Sequence, residues 1–541
     1  MQAVENFDVV VVGGGHNGLV AAAYLAAAGQ TVCVLERDDH LGGAAVSSYA
    51  FEGMDARLSR YSYLVSLLPQ KIVDDLRLDV TLRRRRYSSY TPEPGTDRGL
   101  LIDNDDPVAT RDSFASVGAA ADADAFERFG ADLARLAAAV WPTLTEPLPT
   151  RSELRALLGD DELWRAFVEE PVGVEIERRF ASDLVRGVVA TDALIGTFAS
   201  VHEATLAQNV CFLYHVVGGG TGDWDVPVGG MGAVTGELER AARAAGAELR
   251  TGAEVVSVSP EGAVDYLDAS TGATRRVQAG RVLANVAPAL LDRLLGIDPA
   301  PGVPAPGDPT PGTPAAGTPA PEGAQVKVNL LLSRLPRLRD AQVSPEAAFG
   351  GTFHINELLS QLEAAHAEAE GGAVPRVVPA EIYCHSLTDP SILSPELQQA
   401  GAQTLTVFAL HTPHRLLADG VTNARELGAA VLSSLDSVLA EPIEPLLLRD
   451  AHGEPCIEVK TTADLEAALG MPGGNIFHGS LSWPFVDDDA PLTTAAERWG
   501  VATGHPRILL CGSGSRRGGA VSGLGGYSAA MAVLEDGIDG A

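Results

Sequence analysis

The sequence predicts an α/β protein in which a Rossmann-like nucleotide-binding domain, assembled from separate stretches of chain, carries a mixed α+β domain. Three observations predict it. Four valines run straight into a glycine-rich turn, a second apolar strand ends in an acid about twenty residues on, and the same strand-to-glycine step recurs near the end of the chain.

Val9, Val10, Val11 and Val12 form a continuous apolar run of the kind found in a parallel strand covered on both faces. LVAAAYLAAAG, from Leu19 to Gly29, is a strong helix former stopped by glycine. Between them Gly13, Gly15 and Gly18 make G-x-G-x-x-G. Its first glycine permits the turn, its second lets a pyrophosphate approach, and its third lets helix pack on strand. His16 and Asn17 lie inside this turn, where free amides and the helix dipole attract an anion. TVCVLE, residues 31–36, is the second strand, and Glu36 is placed to hold a ribose diol. An acid there also disfavours a 2′-phosphate.

Farther along, residues 113–200 read as mostly helical and 233–245 as an amphipathic helix. AELRTGAEVVSVSP reads as strands and RRVQAGRVLANVAP as two more. QVKVNLLLSRL alternates like a further strand. Residues 299–323 are almost wholly Pro, Gly, Ala and Thr and read as a flexible insertion. At the C-terminal end RILLC runs into glycines and then a helix.

The 541 residues carry a formal net charge of −32, which would repel nucleic-acid phosphates. The only lysines are Lys71, Lys327 and Lys460, a scarcity that reads as codon usage. Five widely spaced cysteines contain no C-x-x-C pair, which argues against a redox dithiol and fits a reducing compartment. No signal-like N-terminus and no membrane-length apolar run are present, so the expected location is cytoplasmic and peripheral membrane contact stays open. His411 and His414, in HTPH, have helix-like spacing for two metal ligands, but no third ligand is evident and the expectation is no metal. RRRR, residues 83–86, reads as a solvated strand edge, and His354, His385 and His478 as isolated histidines.

RDDHLGGAAV, residues 37–46, follows Glu36 directly and resembles the E-[RK]-x-x-x-x-G-G block of the FAD-dependent amine oxidase and phytoene desaturase superfamily. PVGGMGAVTGEL (227–238), GAELRTGAEVVSV (246–258), RVLANVAP (281–288) and ILLCGSGSRRGGAVSGLGG (508–526) resemble four further blocks. With NIFHGSLS (475–482) they are most similar to the carotenoid and phytoene desaturase-like branch. The resemblance implies FAD as cofactor and a discontinuous FAD-binding domain from 1–70, 225–298 and 500–541. A mixed α+β substrate-binding domain would come from 71–224 and 324–499. It implies cofactor contacts from Arg37, Gly42, Gly43, Ala44, Ala45, Val255 and Asn285, and from Gly512, Ser513, Val521 and Ser522, with the last helix beginning near Ser522. Ser62, Tyr63, Trp224, His215 and Arg516 are substrate-region candidates. Arg516 and Arg517 stand where the branch usually has His-Pro, so Arg516 would bring a fixed positive charge to the flavin. No catalytic acid or base declares itself.

The activity implied is hydride transfer from a substrate C–H to flavin N5 with formation of a C=C bond in an apolar or conjugated small molecule. The electron acceptor (oxygen, a quinone or a protein) and the oligomeric state are not specified. The alternatives are a redox-neutral double-bond isomerase, an amine oxidase, and a flavin-binding subunit without activity of its own.

Overall fold

The computed structural model describes residues 4–297 and 322–537. Most of the predicted insertion at 299–323 therefore lies outside the described residues. The first sheet is built around five parallel strands in the spatial order Glu248–Arg250, Val32–Leu35, Glu5–Val12, Ala273–Ala284, Ile508–Leu510. The expected pair of strands in RRVQAGRVLANVAP is one twelve-residue strand, Ala273–Ala284. Gly280 does not interrupt it, because pairing with the first strand continues through Phe7↔Ala279 and Val9↔Arg281. Its first half also pairs antiparallel with Ala263–Asp268, which in turn pairs with Ala253–Val258.

Register decides where a ligand can bind. Val12 pairs with Leu35 and with Ala284, and Ala284 pairs with Leu510, so four strands end level. Gly13, Glu36, Asn285 and the Cys511–Gly512 turn are thus brought side by side at the carboxyl edge, where open α/β sheets bind ligands. Three helices, His16–Ala27, Met231–Ala245 and Leu524–Asp536, pack with this sheet. The first and last approach so closely that a Cβ on Gly526 would stand 1.9 Å from the Asn17 carbonyl oxygen.

The second sheet has the order Ile457–Lys460, Val326–Leu332, Gln403–Ala409, Ala380–Tyr383, Thr352–Ile355, Tyr87–Pro92, Gly99–Asp103. It is antiparallel except where Thr352–Ile355 meets Tyr87–Pro92. Every residue of Val326–Leu332 is buried, Lys327 included. Residues 107–216 are predominantly helical and enclose a core of their own around Phe129, Phe167, Phe180 and Phe212. No helix among the described residues is long and apolar enough to cross a membrane.

Two further expectations need correction. The last helix begins at Leu524 rather than near Ser522: Gly523 adopts φ +73°, and Ser522 Oγ accepts from the Leu524 amide in the preceding turn. The RRRR tract is not a uniformly solvated edge. Arg86 pairs with Asp103 at 2.9 Å, and Arg85 turns inward to donate to the Trp224 carbonyl and the Thr352 hydroxyl.

Candidate functional site

A cavity of about 1000 Å³ runs from the carboxyl edge of the first sheet to the face of the second. That is the upper end of the range for small-molecule sites, about 300–1000 Å³.

The glycine turn separates packing from ligand access. A Cβ on Gly18 would lie 2.4 Å from the Gly13 carbonyl oxygen, and one on Gly13, already at φ +97°, would lie 2.7 Å from that of Asn285. Both glycines are required by the protein's own backbone. Gly15 differs: its Cβ would meet only Asn285 Nδ2 at 3.2 Å and Gly43 Cα at 3.9 Å, and it faces the cavity. Helix His16–Ala27 has no side-chain cap and no acid in its first turn, so its N-terminal amides are open to an anion. His16, pushed down to about 4 by burial, is neutral, and its Nε2 donates to the Ala520 carbonyl at 3.1 Å. Asn17 is buried behind it and donates to the Gly518 carbonyl at 3.4 Å.

Glu36 is locked by two amides, accepting from Gly14 at 2.7 Å and Asp38 at 2.9 Å. Burial raises its pKa. Each oxygen keeps a lone pair for a hydroxyl donor. Asn285 braces the turn by donating to the Gly13 carbonyl at 2.9 Å. Arg37, Gly43, Ala44 and Val255 line the same end, while Gly42 and Ala45 support it from behind. From the C-terminal loop Ser513 and Val521 face the cavity; Gly512 and Ser522 sit behind it. Ser62 is tied to Ala44 by its hydroxyl at 3.0 Å, and Tyr63 begins the inner chamber. Trp224 and His215 form one wall, with the indole donating to the His215 carbonyl at 3.0 Å.

Arg516 does not enter this cavity. Its guanidinium donates to the carbonyls of Phe485 at 2.8 Å and Trp483 at 3.3 Å. Arg517 donates to those of Thr143 and Glu146. The pair ties the C-terminal loop to neighbouring segments and brings no charge to the cavity.

The largest omission from the sequence reading is Lys327. Its Nζ donates to the Ser59 carbonyl at 2.7 Å and the Tyr61 carbonyl at 3.0 Å, and burial pushes its pKa down to about 7. The available signal was a rare lysine inside a run of apolar strand residues. His354 is not isolated either. It stands opposite Glu381 across two paired strands, with Glu357 near its ring. Burial raises both carboxyls above the ordinary range. Nothing local in the sequence marks that trio, because its members meet only through strand pairing. His478 also lines the cavity, in a left-handed backbone at φ +63°, while His414 Nδ1 is engaged with the Thr462 hydroxyl and His411 packs against His366.

Comparison with known proteins agrees with this architecture. Residues 11–70 match the NAD(P)-binding Rossmann-like domain family. The chain is 31% identical to pyridine nucleotide-disulfide oxidoreductase domain-containing protein 2 of Rattus norvegicus, over 98% of this chain and 94% of that one. It belongs to that oxidoreductase family. An uncharacterized protein of Mycobacterium tuberculosis is 57% identical over 98% of this chain and 97% of its own. Among solved structures, putrescine oxidase bound to putrescine aligns over 98% of this chain and 99% of its own, with a TM-score of 0.58 and 18% identity. Cyclohexylamine oxidase from Brevibacterium oxydans aligns over 98% and 99%, with a TM-score of 0.52 and 14% identity. These likenesses establish a fold shared with the amine oxidases, in line with the superfamily resemblance. All five cysteines are free and buried.

Proposed function

We propose that this oxidoreductase binds FAD across the level strand ends and removes hydride from an apolar small molecule held in the inner chamber, leaving a C=C bond. The observation that carries the reading is the continuity of one cavity from an uncapped helix start, Gly15 and Glu36 to a buried lysine on the second sheet. We assign 1–70, 225–298 and 500–541 to the cofactor and 71–224 and 324–499 to the substrate.

The residues present fit the cofactor on structural grounds. Gly15 is under less packing demand than Gly13 and Gly18 and borders the space a diphosphate needs, and the acid at position 36 is held with acceptor capacity to spare. Bound FAD supplies a two-electron acceptor for a C–H hydride. The protein supplies the rest. Phe126, Phe129, Leu133, Val188, Phe212 and Leu481 line an apolar arm that shields and aligns the substrate. Lys327, uncharged above about pH 7, is placed to take up the proton that leaves with double-bond formation.

The test is anaerobic. Purified protein should be yellow, and its substrate should bleach the visible flavin band stoichiometrically. Product formed only after prior reduction of the flavin would favour isomerisation, and oxidation of an amine panel the amine-oxidase alternative. Colourless protein that takes up no FAD on reconstitution would end the reading.

A further inference from the structure

We propose that His354, Glu357 and Glu381 form a divalent-metal site at the inner end of the cavity, with Zn²⁺ or a similar first-row cation as its ligand. This inference does not depend on the flavin reading.

Three elements build the site. His354 on Thr352–Ile355 and Glu381 on Ala380–Tyr383 are direct cross-strand partners. Such a pairing brings side chains of one face together. Asn356, at φ +57°, turns the chain just past the first strand and returns Glu357 to the same place. Helix Asp183–Ala190 closes over the turn, and a Cβ on Gly187 would stand 1.7 Å from the Glu357 carbonyl oxygen. One ring nitrogen of His354 and one oxygen from each glutamate lie within 4.8 Å of one another. Metal–ligand distances of about 2.0–2.2 Å require the three groups to draw in by only about 1 Å.

The hydrogen bonding leaves a cation as the missing partner. Glu357 is 1% exposed, and neither of its carboxylate oxygens has a hydrogen-bond partner among the described residues. Native structures rarely leave such a group unexplained. Glu381 uses Oε2 to accept from Tyr383, while Oε1 accepts from Thr191 at 3.3 Å and faces His354 Nε2 at 3.9 Å. Thr91 holds His354 Nδ1 at 3.0 Å, the kind of outer contact that orients a ligating imidazole; Glu357 Oε2 stands 3.7 Å from that same nitrogen, and Nε2, which faces Glu381, is the nitrogen left to ligate. Two carboxylates and an imidazole match the charge and donor preferences of a first-row divalent cation.

The neighbouring charges are Arg85 and Asp192. Arg85 directs its guanidinium to two neutral oxygens, those of Trp224 and Thr352, and makes no salt bridge among the described residues. Asp192 lines the cavity with Thr191, His354 and Glu381, so a position on the cation remains open to the chamber for water or a substrate oxygen.

The purified protein, with its flavin content recorded on the same sample, is loaded with Zn²⁺, desalted and analysed for metal by mass spectrometry. Co²⁺ loading adds a visible spectrum sensitive to coordination geometry. The expected result is about one equivalent retained per chain and low-symmetry Co²⁺ bands, both reduced at least tenfold in Glu357→Gln and in His354→Ala. Circular dichroism and melting curves establish that the variants fold, and the wild-type stoichiometry stands alone if they do not. Wild-type protein that retains no metal, or variants that retain as much as wild type through the exposed acids, overturns the proposal. Metal retention in protein that cannot bind FAD would defeat the flavin reading and leave this one intact.

Discussion

Lys327 Nζ stands 4.9 Å from the centre of the Tyr63 ring while its protons are engaged by the carbonyls of Ser59 and Tyr61. These contacts orient the amine and favour its charged form, and burial works against them. Burial lowers its pKa from 10.5 to about 7, with Glu458 acting the other way.

The rate of substrate-driven flavin reduction should rise with pH through about 7 and then level, because neutral lysine is the competent base. Lys327→Met should flatten that limb and slow the step by about 10²–10⁴-fold. Stopped-flow measurements across the pH range check both. A limb that persists in the variant would assign the titration to another group.

Stability should follow the same group with a definite sign. The unfolded chain holds this proton up to 10.5 and the folded chain only up to about 7, so the unfolded state binds more protons between those values. Lys327 therefore makes the protein more stable as pH rises across that window. Lys327→Met should remove this slope, measured by denaturant unfolding at several pH values.

Gly15 and Gly18 should separate cofactor binding from folding. Gly15→Val projects into the cavity, so it should leave the melting temperature of the flavin-free protein near wild type and abolish flavin retention. Gly18→Ala forces its methyl to 2.4 Å from the Gly13 carbonyl oxygen and should destabilise the fold itself by about 1–3 kcal/mol. Calorimetry and the flavin-to-protein absorbance ratio report the two effects separately.

Glu36→Ala should weaken FAD retention by about tenfold or more, since it removes the ribose acceptor and frees the Gly14 amide that it holds. Fluorescence titration of flavin-free protein measures this. Unchanged affinity would remove Glu36 from the site.

Arg516→Met should act on stability and leave flavin chemistry alone. The guanidinium satisfies two carbonyls away from the cavity, so its loss should cost about 1–3 kcal/mol, with no change in the flavin reduction potential. A shifted potential would restore the charge to the cofactor's neighbourhood.

Local chemistry was legible where it is consecutive. The valine run, the three glycines and Glu36 specify a strand, turn and acid within a few dozen residues, and their placement at the sheet edge follows from parallel pairing. Arg516 misled because position beside a motif says nothing about rotamer: its long side chain reaches the carbonyls of Phe485 and Trp483 instead of the cavity. The two strands expected in RRVQAGRVLANVAP merged because pairing on both sides outweighs one glycine.

By itself the sequence determined a nucleotide-type strand, turn and helix, the absence of a C-x-x-C dithiol, and a strongly acidic chain poorly suited to nucleic acid. Only the tertiary structure decided that Lys327 faces the cavity and that His354, Glu357 and Glu381 converge. Periodicity reports which face of an element is apolar, whereas the meeting of polar groups depends on strand register between segments distant in the chain.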